Sequence, residues 1–537
     1  LINLGTLGNS PHPQIETTAK DSRSAGHFGT AYKDSSIIDT VNYKYLTENT
    51  KYVVKGKLMI RNEDGTASET SPLIESKSDE FTTPTTTNLD KHNISGNIDV
   101  KYTFDARPYE GKTLVVYESL YKVLADGTEE LVTVHEDISD EGQTIYYGKL
   151  ETTATFASTG THTGAVGKDT KVVDEVVYSG LNPDNEYRFE GVLVRKSTGE
   201  ELKDENGEVI KQEKNLKPKS NGKDSIKMNF TFDSTGFEGD SVVIVERVYW
   251  NGNAVVIHED LDDAKQTLNF PTVSTTAVNT DTRDHLAYAG KKSIIIDTVK
   301  LGNLYGGEDY KVVGTLMDKS TGEAIKDKDG KAISSFKLLV ANGSGVDSVD
   351  VGFKFDATEY QGKDIVVFEE LYQGDVLVAS HKDINDEGQT ITYPKVSTSA
   401  IVQDTQTRTF SPLEKEVTVN DGVFLENLIV GKEYEVKGKL VDKATGKPLL
   451  DKDGNEYTDS TKITPTVKDK NSVVLSFTFD GSDMVGKSVV VYEELYFNDV
   501  LIGSHKDLKD ENQTIHSPKI GTKASDVESG TNASYAG

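Results

Sequence analysis

The stretch YKVVGTLMDKSTGEAIKDKDGKAI, Tyr310–Ile333, and the later KDIVVFEELY, Lys363–Tyr372, alternate short runs of Val, Ile, Leu and Phe with turns built on Gly and Asp. No apolar spacing of 3.6 residues persists through them, so they read as strands joined by an Asp-Gly hairpin. The same texture extends in both directions along the chain. Short strands at this spacing predict an all-β fold of immunoglobulin-like β-sandwich domains.

Beyond KDIVVFEELY lies an acidic stretch, HKDINDEGQT from His381, which recurs as HEDISDEGQT from His135, HEDLDDAKQT from His258 and HKDLKDENQT from His505. Gln143, Gln266, Gln389 and Gln513 therefore stand 123, 123 and 124 residues apart. A fixed period of that size predicts a tandem array. The expected domains are 11–147, 148–270, 271–394 and 395–519, with 520–537 as the truncated start of a fifth repeat. Extra residues around MIRNEDGTASETSPLIESKSDEF and KVLADGTEEL predict enlarged loops in the first domain. The joints near Pro271, Pro394 and Pro518 are short, which predicts a semi-rigid rod.

Composition narrows the function classes. At 537 residues and a formal charge of -29, the chain lacks the clustered cations that phosphate neutralisation requires, so no nucleic-acid partner is expected. An anionic membrane surface is disfavoured for the same reason. No apolar run approaches the length that spans a bilayer, so no membrane insertion is expected. There is no cysteine, hence no disulfide and no thiolate metal site, and any covalent staple must use other chemistry. LINLGTLGNS lacks the features of a signal peptide, and GTKASDVESGTNASYAG reads as a repeat that stops; a fragment of a longer exported chain is expected.

Comparing the repeats with one another isolates recurring polar residues. Beside His and Gln, an Asp sits in an apolar run (Asp39, Asp174, Asp297, Asp421), and a Glu follows another (Glu118, Glu246, Glu369, Glu493). A Thr stands in the first strand (Thr17, Thr152, Thr275, Thr398), with Thr522 opening the last stretch. Thr-to-Asp spacings are 22, 22, 22 and 23; Asp-to-Glu spacings are 79, 72, 72 and 72. Rival Thr columns fail. Thr40 and Thr298 are replaced by Glu175 and Gly422 elsewhere, and Thr144, Thr267, Thr390 and Thr514 adjoin the Gln, so they point to the opposite face of the strand.

A Thr hydroxyl is a weak nucleophile and a carboxamide a poor electrophile. Buried face to face, with His135, His258, His381 and His505 as bases, a carboxylate orienting the ring and a protonated carboxylic acid giving its proton to the departing amide nitrogen, they can form an ester and release ammonia. These residues resemble the Thr-Gln intramolecular ester-bond domains, also called VaFE repeats, of Gram-positive surface adhesins, whose signatures match VVFEELY and H-x-D-x(5)-Q-T. The resemblance implies bonds from Thr17 to Gln143, Thr152 to Gln266, Thr275 to Gln389 and Thr398 to Gln513, assisted by the Asp, Glu and His columns. A Lys-Asn isopeptide is the rival staple, but the Lys of GKTLVV and GKDIVV is Asp240 in the second repeat.

The expected role is a stalk region of a cell-surface adhesin, extracellular and cell-wall anchored, self-crosslinked once per domain and not an enzyme with turnover. A monomer is expected, reaching a host surface ligand through regions outside this chain, with no cofactor and no metal. The alternative is an adhesive module in which one domain binds a host protein or glycan, hinted at by Tyr249 and Trp250; a packing role suits Trp250 better. Asp105, Asp233, Asp356 and Asp480 are expected to cap turns, as are the hairpin residues Asp204, Asp327 and Asp451.

Overall fold

Ser293–Gly302, SIIIDTVKLG, places Ser293, Ile295, Asp297, Val299 and Leu301 on its buried face. A strand projects alternate residues to opposite faces, so the apolar members of this set commit the face to a core and carry Asp297 inside with them. The computed structural model, which describes residues 11–219 and 222–533, builds every repeat on such strands. The chain divides into two compact units, Leu1–Phe270 and Pro271–Gly537, with two repeats in each.

The third repeat gives the plan. Its strands are β1 (Thr272–Asn279), β2 (Ser293–Gly302), β3 (Asp309–Asp318), β4 (Ser334–Val340), β5 (Val346–Phe355), β6 (Lys363–Gln373), β7 (Val376–His381) and β8 (Thr390–Tyr393). One sheet has the order β1-β2-β5; in the other, β3 lies between β4 and β6, and both β7 and β8 pair with β6. All the pairings are antiparallel. Ile295, Val299, Val351 and Phe353 of the first sheet pack against Leu316, Val367 and Leu371 of the second. The result is a β-sandwich, and the other three repeats have the same two-sheet plan.

The edge of the second sheet positions the site. β7 ends with His381 opposite Glu369, while β8 begins with Thr390 opposite Val366. Between them the chain leaves the ladder, crosses the acidic loop and returns through a 3-10 turn, Glu387–Gln389. Gln389 therefore enters the sandwich through a gap in an otherwise continuous edge.

The enlarged loops expected in the first repeat are partly strand. Ile74–Lys77 pairs with Lys55–Leu58, and KVLADGTEEL forms the tip of a hairpin between Thr113–Val123 and Glu129–His135. The additional residues thus lengthen the sheet. Trp250 packs on Phe28 with ring centroids 5.1 Å apart, joining the first two repeats. Tyr249 lies beneath the guanidinium of Arg188 at 4.0 Å. Between repeats three and four, Asn427 Nδ2 donates to the carbonyls of Lys363 at 2.9 Å and Tyr393 at 3.1 Å.

Beyond the fourth repeat, Thr522 is exposed and residues 517–533 form no strand. Gly530 nevertheless donates to the Asp526 carbonyl at 2.9 Å, the same type of turn that Ala25 closes onto Asp21. Residues 534–537 of the expected fifth repeat lie outside the described residues.

Candidate functional site

Three inward-facing positions meet in each sandwich. In β1, Thr275 shares its face with Ala277; in β2, Asp297 pairs with Ala277, which makes it the diagonal neighbour of Thr275. In β6, Glu369 follows Ile365 and Val367 on the buried face. Gln389 comes down between the sheets to join them. The four Gln and four Asp side chains are fully buried, the Glu residues nearly so, and Thr17, Thr152 and Thr398 are buried as well.

The contacts suit a reaction. Thr275 Oγ1 donates to Asp297 Oδ1 at 2.7 Å, and Gln389 Nε2 is in contact with both Thr275 Oγ1 and Glu369 Oε2. In the fourth repeat Gln513 Nε2 contacts Thr398 Oγ1 and donates to Glu493 Oε1 at 2.6 Å. Gln143 Nε2 donates to Glu118 in the first repeat. The second repeat differs, with Gln266 Nε2 donating to Asp174 Oδ1 at 3.2 Å.

Many polar atoms of the cluster have no partner within the protein. They include the carbonyl oxygens of Gln143, Gln266, Gln389 and Gln513, Thr17 Oγ1, Thr152 Oγ1, both oxygens of Asp39 and of Asp421, and both of Glu246. Buried polar groups are nearly always paired, so this concentration in one place per repeat marks a functional site. Two carboxyls facing one another explain part of it, because acceptor meets acceptor unless a proton lies between them.

Burial raises both carboxyls, and each pair divides unequally. Asp39, Asp174 and Asp421 are pushed up to about 6 by desolvation, held from rising further by hydrogen bonding within the cluster. Glu369 and Glu493 are pushed up to about 10 by desolvation and the adjacent Asp; Glu118 and Glu246 are raised well above the usual range for the same reasons. The Glu therefore holds the shared proton and the Asp accepts from it.

The His stands at the rim. Its side chain is about a quarter exposed, and Nε2 pairs with an Asp five residues later: His135 with Asp140 at 2.7 Å, His258 with Asp263 at 3.0 Å, His381 with Asp386 at 2.8 Å and His505 with Asp510 at 3.0 Å. Asp140, Asp263 and Asp386 also cap the 3-10 turn that carries the Gln. The loop Asp, not the column of buried carboxyls, thus orients the ring. In the third repeat the Thr hydroxyl points at Asp297, so the acceptor nearest that proton is a carboxylate and not the imidazole expected from the sequence.

Three further columns support the site, of which the loop Asp and a Gly escaped the sequence reading while the Thr after each Gln was set aside there as a rival nucleophile. The loop Asp is the sixth residue of all four quoted stretches. The Thr after each Gln donates its hydroxyl to the carbonyl of that Asp, at 2.7 Å in Thr144 and Thr390 and 2.8 Å in Thr267 and Thr514. Finally, Gly56, Gly191, Gly314 and Gly438 lie directly opposite Glu118, Glu246, Glu369 and Glu493. A β carbon on Gly314 would lie 2.6 Å from Phe353 Cζ, and one on Gly191 3.0 Å from Phe230 Cζ. These glycines make room for an aromatic ring crossing from the other sheet.

Asp105, Asp233, Asp356 and Asp480 lie outside the cluster. Each is exposed at its carboxylate and accepts from a backbone N–H two residues on, as in Thr358 to Asp356 at 3.1 Å. Asp204, Asp327 and Asp451 cap their hairpins in the same way. Among the described residues no cluster of three metal-ligating side chains occurs, and no helix is long and apolar enough to cross a membrane.

A family model for the T-Q ester bond containing domain matches residues 13–147, 148–270, 271–393 and 394–517. The chain belongs to this family. No curated protein sequence matches it. Among solved structures, the chain is similar over 42% of its length to a bacterial adhesin from Mobiluncus mulieris containing intramolecular disulfide, isopeptide and ester bond cross-links, at 14% identity and a TM-score of 0.20 over 80% of that chain. A tetra-tandem repeat in the extending region of a large adhesion protein is similar at 11% identity and a TM-score of 0.16, over 92% of this chain and 98% of that one. The C-terminal domain of the Streptococcus agalactiae AgI/II polypeptide BspA gives 10% identity and a TM-score of 0.22, over 45% and 97%.

Proposed function

We propose that each T-Q domain closes an ester between its Thr and its Gln. The observation that carries this reading is the contact of Gln389 Nε2 with Thr275 Oγ1 beside two buried carboxyls, both pushed up by desolvation. Thr275 Oγ attacks Cδ of Gln389 and passes its proton to Asp297. Glu369 protonates the departing nitrogen, ammonia leaves, and the proton on Asp297 returns to Glu369 through the carboxyl pair. One O–C bond replaces one N–C bond, and no external acid or base is consumed. His381 takes a supporting part: whenever it carries a proton, its charge favours the ionised form of Asp297. The reaction runs once per site, so the chain is not an enzyme with turnover.

The role that fits four such domains in a row is mechanical: the stalk of a cell-surface adhesin, anchored to the cell wall of a Gram-positive bacterium and carrying a binding region elsewhere in the protein. Tension entering at the first strand leaves through the bridged Gln without extending the intervening chain. Closing the 114-residue separation in the third domain also stabilises it by about 5 kcal/mol on the loop-entropy model. The joint between the third and fourth domains, held by the Asn427 bonds, suits a stalk. Intact mass tests the reading. The chain should be lighter than its sequence by four ammonia equivalents, and T275A should restore one; a mass equal to the sequence sinks the crosslink.

A second reading has one domain bind a host molecule directly. Tyr249 and Trp250 no longer support it, since they are engaged within the first unit. What favours it is β4, where Phe336, Leu338 and Val340 are 60%, 71% and 61% exposed, whereas the matching Lys211–Leu216 and Thr458–Ile463 are mostly polar. Loss of binding to host cells in F336S/L338S, with the mass unchanged, would select it.

A further inference from the structure

Among the buried groups of the first domain that the reaction above does not use is a tyrosine. Tyr102 is fully buried, and its hydroxyl has no partner within the protein. It pairs in register with Ile37, two residues before Asp39 on the same buried face. From there the ring crosses the sandwich: a β carbon on Gly56 would fall on the Tyr102 hydroxyl. Gly56 is the residue opposite Glu118. The phenol thus ends close enough to Glu118 and Asp39 for both carboxyls to act on it electrostatically, and its hydroxyl, both oxygens of Asp39 and Oε1 of Glu118 are without hydrogen-bond partners.

The other domains lack this hydroxyl. The residues at the same register are Phe230 opposite Val172, Phe353 opposite Ile295 and Phe477 opposite Val419. Phe satisfies the packing in three domains, so the hydroxyl is not required by the fold. A buried hydroxyl without a partner is costly, and the Glu118 and Asp39 carboxyls are near enough to act on it.

We propose that Tyr102 is a positioning residue peculiar to the first domain, donating to the Asp39–Glu118 pair and setting the pH range over which that domain closes its crosslink. The proposal rests on the ester reading. Burial, with the neighbouring Glu118 and Asp39 carboxyl pair, holds the phenol well above its ordinary value, so it remains a donor throughout. Donation to a carboxylate favours the ionised form, and the pair therefore loses its shared proton at lower pH than its counterparts. The other groups facing the pair are His135 and Asp140 from the edge loop and Asp99, whose carboxylate accepts from Thr40. Lys55 and Lys57 flank Gly56 but pair with Glu129 and Glu136.

The test uses the full chain made by cell-free synthesis in buffers of graded pH, with each Thr-Gln linked peptide followed over time by digestion and mass spectrometry. In the native sequence, closure in the first domain should fall off about one pH unit earlier than in the third. Y102F should bring the first domain into line with the others, and F353Y should move the third domain down while leaving the second and fourth in place. If the first domain links in Y102F with an unchanged profile, the Tyr102 proposal is overturned. If no linked peptide forms in any domain, the ester reading itself fails, and this proposal with it.

Discussion

His381 and Asp386 are joined at 2.8 Å through Nε2 and Oδ2, and the other oxygen of Asp386 accepts from the N–H of Gly388 at 2.8 Å. One side chain therefore fixes both the imidazole and the turn that delivers Gln389. D386A should remove a cap worth about 1 kcal/mol and free the ring. Closure of the third domain should slow by about tenfold or more, equivalent to about 1.4 kcal/mol of barrier. Time-resolved peptide mapping reads this directly, with the other three domains as controls. Equal rates in all four would show that the pairing is only structural.

Thr275 and Thr390 flank the same Gln but do different work. T275A should leave the third domain unlinked and less stable. T390V should lose the bond to the Asp386 carbonyl and the one accepted from Lys319 Nζ, costing about 1 kcal/mol or a little more, and should still link. Intact mass distinguishes them: one ammonia equivalent is regained in the first variant and none in the second.

The carboxyl pairs make the unlinked chain sensitive to base. An unfolded Glu ionises near 4.5, whereas folded Glu369 and Glu493 hold their protons to about 10. A folded value raised above the unfolded one gives a contribution that is complete below 4.5 and is lost as pH rises through 10. A chain with all four reacting Thr changed to Ala should therefore fall in Tm between pH 5 and 10. Adding Gln at the four Glu positions should flatten that dependence; a slope that persists would place the titration elsewhere.

Gly314 leaves space that Phe353 fills. G314A should bring a β carbon within 2.6 Å of Phe353 Cζ and 3.1 Å of Val351 Cγ1. Overpacking of this kind costs about 1–3 kcal/mol. Because the displaced ring lies against the reacting cluster, the third domain should also lose its crosslink, visible as one missing linked peptide. Normal linking with lowered Tm would confine the glycine to packing.

The period, the all-β class and the five recurring polar columns were legible because residue type is kept at one register, and four copies supply their own comparison. Asp386 was not, since an Asp among four other acidic and amide residues in its loop has no contrast until the ring is seen against it. Gly314 was hidden differently: its reason lies in a side chain from the opposite sheet. Which base faces the Thr hydroxyl could not be read at all. Strand parity puts Thr275, Asp297 and Glu369 inside, but only the diagonal between β1 and β2 shows that Asp297 is the near neighbour. The extra residues of the first domain looked like loop because they are polar; an edge strand such as Ile74–Lys77, exposed on alternate residues, has the same composition.

β1 and the turn bearing Gln389 belong to opposite sheets, and the next domain begins at Lys395, close behind that Gln. Once Thr275 and Gln389 are bridged, the domain is a closed ring of covalent atoms with both tails leaving from nearly the same point. A protease that nicks any loop within the ring opens it without dividing the chain. Cut products would then migrate as one molecule under denaturing conditions until mild alkali hydrolyses the ester, when two pieces would separate.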